Sequence, residues 1–419
     1  MRVAIGLIAL ALVSSPAWAD DNWPQFRGPR GDGHADATGL PLTWSESENV
    51  AWKTAVHDRG WSSPVLLDKQ LWVTTATADG RTLFAVGVDA DTGRIVHDVK
   101  VFDVPVPLHV ASVNSYASPT PVVEAGRLYV HFGAYGTACL DTKTGEVLWT
   151  RRDLVCDHHE GPGSSPILFE KLLLFDVDGC DVQYVVALDK ETGKTVWKTK
   201  RSANYDGVIP FERKAFSTPT IFEADGRLQM VCPASKAAIA YDPRTGEELW
   251  KLPYRGWSVT PRPIFGDGLL YLIIDYEKPE LWAVKVGDGK GDLPESAVAW
   301  KVPSGMPQKP SLLLVGDMLY LVNEKGVAMG IEAKTGLVVW KQPIGGEYSA
   351  SPIFADGRLY FFNHNAVATV MAPGREAKVL ATNRLDGKMM ASPAAAGRAI
   401  YLRTETHLYR IEKKEAKAN

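Results

Sequence analysis

Along most of its length the chain alternates short apolar runs with polar turns, and the turns come in two recurring forms. In the first, a small or polar residue and a proline open an apolar run, a turn follows, and a second run returns. "SSPVLLDKQLWV", "ASPTPVVEAGRLYV", "SSPILFEKLLLF", "STPTIFEADGRLQM" and "SASPIFADGRLYFF" are close copies, while "VTPRPIFGDGLLYL", "QKPSLLLVGDMLYL" and "ASPAAAGRAIYL" are looser ones. In the second form an acidic residue precedes Thr-Gly and an alternating run that usually ends in Trp: "DADTGRIVH", "DTKTGEVLW", "DKETGKTVW", "DPRTGEELW" and "EAKTGLVVW". Glycine supplies the positive φ of a tight hairpin turn, and Asp and Thr side chains bond the turn's backbone. Each form predicts one antiparallel hairpin, and the two in alternation predict a unit of four short strands.

The prolines of the first form are Pro64, Pro119, Pro166, Pro219, Pro261, Pro310, Pro352 and Pro393, eight in all and 41 to 55 residues apart. A four-stranded unit repeated at this period is the signature of a β-propeller blade. A sandwich of unrelated strands would not repeat the same phrases in the same order. Proline suits the start of the innermost strand, where the first residue can forgo a ladder hydrogen bond. The last copy is incomplete: after "HLYRIE" only "KKEAKAN" follows. An orphan strand, "NVAWKTAV" (Asn49–Val56), precedes the first copy and holds Trp52 where the missing piece would have its Trp. The expected fold is all-β: an eight-bladed propeller over residues 48–412, closed by the N-terminal strand completing the last blade, which removes the open edges.

The second phrase resembles the tryptophan-docking repeat, A-x-D-x-x-T-G-x-x-x-W, of quinoprotein (PQQ) alcohol dehydrogenases. Ala187, Asp189, Thr192, Gly193 and Trp197 match it position by position, as do Ala240, Asp242, Thr245, Gly246 and Trp250. Trp149 and Trp340 match with drift earlier in the phrase, Trp52 and Trp300 match as strand residues only, and His97 replaces the Trp of the first blade. The resemblance implies that each Trp packs between neighbouring blades. The same repeat occurs in BamB, the propeller subunit of the outer-membrane β-barrel assembly machine, and in exported propellers of unassigned role, to which "NWPQFRGPRGDG" and "GPGSSP" are most similar. The dehydrogenases of this type also carry adjacent cysteines above the cofactor and a carboxylate/amide calcium site. Here Cys139, Cys156, Cys180 and Cys232 are scattered, and no acidic residue falls in a matching motif. The reading is therefore of no bound cofactor, with PQQ and calcium as the alternative that the resemblance leaves open.

Composition narrows the class further. "MRVAIGLIALALVSSPAWA" has a basic start, an apolar stretch of about half the ~20 residues a membrane-spanning helix needs, and a small-residue end. It reads as a signal peptide over residues 1–19, making the mature protein periplasmic or secreted, with no membrane span. Residues 20–47, rich in Gly and Pro, are expected to pack across the ring, and 413–419 to form a disordered tail. The net charge of −3 removes the basic excess of a nucleic-acid binder. Four dispersed cysteines specify no disulfide pairing, so a hydrophobic core has to hold the chain.

Candidate chemistry gathers on the loops that lead into each proline, which the fold places round the mouth of the central channel. "CDHHEGPGSSP" offers His158, His159 and Glu160. Adjacent histidines on an extended segment point to opposite sides, so no metal site is expected. Ser164 and Ser165 lack a nucleophile elbow, and no catalytic residue is expected. Aromatic side chains stand three or four residues before the proline in several loops, among them Trp61, Tyr116, Trp257 and Tyr348, and cations accompany them: Arg59, Arg213, Lys214, Arg255, Lys309 and Lys388. Flat apolar faces beside cationic donors are the chemistry of a pocket for a polar ligand. The expected function is an exported, monomeric, non-catalytic scaffold that binds a protein, a polar small molecule or a glycan through these loops. The alternatives are a PQQ-dependent oxidoreductase and a carbohydrate-binding protein.

Overall fold

The computed structural model describes residues 22–413; the signal-peptide reading, and the tail reading beyond Lys413, lie outside the described residues. Eight sheets of four antiparallel strands succeed one another along the chain, one of them with an added parallel strand, and in seven the strands follow sequence order. The eighth is built from both ends of the chain: Val50–Ala55 pairs with His407–Glu412, with Val50 opposite Ile411 and Ala55 opposite His407. The ring is therefore closed as the incomplete last repeat implies.

Position within a blade follows the hydrophobic pattern. Middle strands are covered by neighbouring blades on both faces, and Leu172–Asp178 is buried at every residue. Outermost strands alternate, as in Thr195–Lys200, where Trp197 is the buried member. Five of the six repeat Trp residues then dock on the corresponding turn of the next blade, four of them on a Thr-Gly turn. The indole of Trp197 donates Nε1–H to Pro243 O at 3.2 Å and lies against Gly246; that of Trp149 donates to Lys190 O at 3.0 Å and lies against Gly193. Gly246 combines φ +72° with an indole 2.4 Å from where a Cβ would stand, so no side chain fits there. Trp52 and Trp300, the weakest matches to the repeat, dock in the same way on Ala90 O at 2.8 Å and Ala333 O at 3.1 Å. Trp340 reaches Gly374 O at 3.1 Å, and His97 covers Gly145. Trp250 departs from the pattern. Blade five has no Thr-Gly phrase, so this indole bonds Gln229 Oε1 within its own sheet at 2.5 Å, and the enlarged turn beside it adds a fifth strand, Gly291–Asp292.

The inner seams are laced by hydroxyls. Beside six of the eight prolines a backbone N–H donates to a Ser or Thr of the next blade: Ser63 to Thr120 at 3.0 Å, Thr120 to Ser165 at 3.0 Å and Ser165 to Thr218 at 3.1 Å. The belt resumes from Arg262 to Ser311 at 3.0 Å, Ser311 to Ser351 at 2.9 Å and Ser351 to Ser392 at 2.9 Å. Buried arginines join the two seams that lack such a bridge. Arg262 Nε donates to Pro219 O at 3.1 Å, and Arg403 donates to Ser62 O at 3.0 Å and Thr74 O at 2.8 Å. Burial lowers the pKa of both guanidinium groups, to about 10 and about 9.

Residues 22–48 run across the ring on the side of the inner hairpin turns. Trp23 exchanges backbone hydrogen bonds with Leu66 of blade one, Pro24 accepts from Val123 of blade two, and Gly33 and Ala35 pair with Phe354 of blade seven. Arg27, 2% exposed, donates to the carbonyls of Leu312, Pro352 and Asp32, and Arg262 donates to Phe26 O at 2.8 Å. This strap places Phe26 among the residues that line the channel cavity.

Candidate functional site

Above Phe26 the channel opens into a cavity of about 300 Å³, bounded by the belt hydroxyls below and the proline-leading loops above. Trp61, Glu160, Lys214, Trp257 and Lys309 line it, so the structure brings together five of the thirteen contact residues read from the sequence. Lys214 is drawn inward because the short helical turn Pro210–Arg213 folds back over it; its side chain is wholly enclosed. Nζ donates to Phe211 O at 2.7 Å and sits 3.2 Å from the Phe211 ring centroid and 4.9 Å from that of Trp257. Burial lowers its pKa. Phe211 meets Trp257 edge-on with centroids 5.2 Å apart, and Trp257 is tilted against Tyr276 at 6.5 Å.

The other eight stand elsewhere. His158 is 3% exposed and faces a separate water-sized cavity between blades two and three, with His131 and Asp176, not the mouth. Burial holds His158 neutral, its pKa pushed down to about 4, and His131 likewise to about 3. His159, at φ +55°, turns the loop back and remains on the outer rim against Phe211. Tyr348 is fully buried in the core between blades six and seven. Arg213 is spent on Val208 O, while Arg255 and Lys388 point to solvent outside the cavity. Arg59 covers Trp61 and, with Tyr116, borders a smaller adjoining cleft.

Sequence reasoning missed Phe26, Phe211, Tyr276 and the belt hydroxyls as pocket lining. The belt had a signal: a hydroxyl residue stands beside every one of the eight prolines. Val106, Leu108, Val155, Val182 and Ile209 are exposed on the loops of blades one to three outside the pocket, and Val113 and Phe211, which line it, continue this apolar crest along one half of the rim.

The donor set suits some ligands and not others. Glu160 is the sole carboxylate among the pocket's lining residues, and the Asn114 amide oxygen already accepts from Ser115 N at 2.8 Å and Ser118 Oγ at 2.5 Å. Calcium takes six to eight oxygen ligands, so these residues do not fit a calcium–quinone pair. Among the described residues no three His, Cys, Asp or Glu side chains come together as a metal-binding group.

The family of the outer membrane protein assembly factor BamB matches residues 36–153 and 181–418. No curated protein matches the chain in sequence. Among solved structures, BamB from Moraxella catarrhalis is similar over 88% of this chain and 100% of its own, at 13% identity and a TM-score of 0.59. The quinohemoprotein alcohol dehydrogenase of Comamonas testosteroni is similar over 95% of this chain and 82% of its own, at 10% identity and a TM-score of 0.68. The dehydrogenase ADHIIG of Pseudomonas putida HK5 gives 96%, 82%, 12% and 0.66. At these identities the likeness is one of fold.

Proposed function

This chain belongs to the family of the outer membrane protein assembly factor BamB, and from that premise we propose that it is an exported, non-catalytic propeller that binds a partner protein or a polar ligand through the loops at its channel mouth. The observation that carries the reading is the concentration of unused binding capacity on one face. A pocket with a buried ammonium opens there, beside a crest of exposed apolar side chains. Large exposed apolar patches on a folded protein mark interaction surfaces. The pattern of residues 1–19 supports export. Among the described residues no helix is long and apolar enough to cross a membrane.

Photo-crosslinking tests this. With benzoylphenylalanine placed at Val106 or Val113, exported protein should yield discrete adducts, whereas the same probe at Val96 or Val196 on the outer strands should not. Adducts confined to the outer strands would move the binding surface away from the mouth. A second reading, a PQQ-dependent dehydrogenase, draws on the two quinohemoprotein enzymes whose fold the ring shares. Protein supplied with PQQ and calcium should not reduce an artificial electron acceptor with alcohols; dye reduction that survives purification would establish that second reading.

A further inference from the structure

We propose that the pocket at the channel mouth is a site for an organic oxyanion, a carboxylate or phosphate carried on a flat apolar body; this rests on the reading of the mouth as a binding surface and gives that surface its ligand chemistry. The first support is unused hydrogen-bonding capacity. Thr120, Ser165, Thr218, Ser311, Ser351 and Ser392 each accept one backbone N–H from the preceding blade. A hydroxyl that accepts still has its own hydrogen to give, and among the described residues none of the six donates to a protein acceptor. All six border the cavity. With one lone pair of each engaged by the belt and its hydrogen undonated, the floor of the pocket is a ring of available donors.

The second support is charge. Lys214 is enclosed, yet its ammonium makes one hydrogen bond, to the neutral carbonyl of Phe211. An ammonium has three donors, and a buried cation without a counter-ion is costly unless something pairs it. Two lysines face the cavity against the single carboxylate of Glu160. An incoming oxyanion would supply acceptors for the hydroxyl ring and a counter-ion for Lys214 together. The third support is shape: Phe211, Trp257 and Tyr276 wall the entrance with ring faces and edges, which suits a flat apolar body behind the anionic head.

The experiment compares ligands of one shape that differ in charge. Indole-3-acetate and indole-3-acetamide are titrated into the mature chain by calorimetry at low ionic strength, with phenyl phosphate and benzyl alcohol as a second pair. The acid should bind at least about tenfold more tightly than the amide, because charge-assisted hydrogen bonds are the stronger class. Lys214→Gln should reduce that preference to about twofold or less. A preference shown by indole-3-acetate alone identifies the head as a carboxylate, and one shown by phenyl phosphate alone identifies a phosphate. If Lys214→Gln does not fold, Ser63→Ala replaces it. The Ser63 hydroxyl borders the pocket without serving the belt as acceptor, so its loss should lower acid affinity and spare the amide. Equal binding of acid and amide overturns the oxyanion proposal while leaving the mouth a binding surface; absence of binding by all four compounds also overturns it. The crosslinking at Val106 and Val113 is read separately, so the two proposals fail separately.

Discussion

The two faces of the ring are made from the same repeat and have opposite chemistry. On the strap side, backbone groups are paired and arginines cap carbonyls. On the mouth side, six belt hydroxyls keep an undonated hydrogen, a buried ammonium has one hydrogen bond and no carboxylate partner, and a row of valines stands exposed. A structural surface satisfies its own polar groups. A surface that leaves them available, in a pocket, is shaped for something outside the chain.

Breaking the closed side should cost the most. Trp52→Ala removes an indole packed on Gly93 and its bond to Ala90 O. It should destabilise the protein by about 3–5 kcal/mol, read as a fall in the urea midpoint, and deletion of residues 49–56 should abolish cooperative unfolding. Deletion of 413–419 should do neither. Equal midpoints for the two deletions would show that the first strand does not close the ring.

Next in size is the strap. Arg27 is buried, its pKa lowered to about 9 by burial, and it bonds carbonyls of blades six and seven. Arg27→Met should cost about 2–4 kcal/mol, since carbonyls that have lost their donor are left unsatisfied. It should leave crosslinking at Val106 unchanged. A loss of adducts with unchanged stability would mean that the two faces are coupled.

A pH experiment separates the small cavity from the mouth. His158 is depressed below the usual histidine value by burial, so the unfolded chain binds its proton first. Its contribution to stability is therefore present at pH 7 and lost as pH falls from about 6.5 towards about 4. Buried Asp176, raised by burial, has the opposite slope, so the comparison is with a variant. In His158→Gln the drop in unfolding free energy between pH 7 and pH 5 should shrink by about 1–2 kcal/mol. An unchanged drop would place a protonated, solvated imidazole at this position.

Much of the fold was legible because it is written in repeats. Proline spacing implied eight blades, and the surplus Trp52 implied closure. The weak matches, Trp52 and Trp300, dock as well as the strong ones because docking needs an indole over a glycine turn, not the whole phrase. Trp250 shows the converse: its phrase is complete, but its partner turn in the next blade is not. The site was less legible. Spacing from proline placed Trp61 and Trp257 at the mouth, yet the same spacing applied to Tyr348, whose ring turns into the core. His158 and His159 were read as one rim feature, and a single positive φ at His159 separates them into a buried ring and an exposed one. Phe26 is remote in sequence from every loop it meets, so no local pattern could have put it in the pocket.

The seam between Val50 and Ile411 also orders events in time. All seven other sheets are local in sequence and can form as the chain appears, whereas the eighth needs both ends at once. Contacts so distant along the chain are slow to form. Until they do, an arc of blades exposes the edge of His407–Glu412 and the unfilled Trp52 site, both open to pairing with another molecule. In refolding, the last and slowest phase should be the one reported by Trp52. Its amplitude should give way to aggregation as protein concentration rises, so for this molecule the delicate step is the final one.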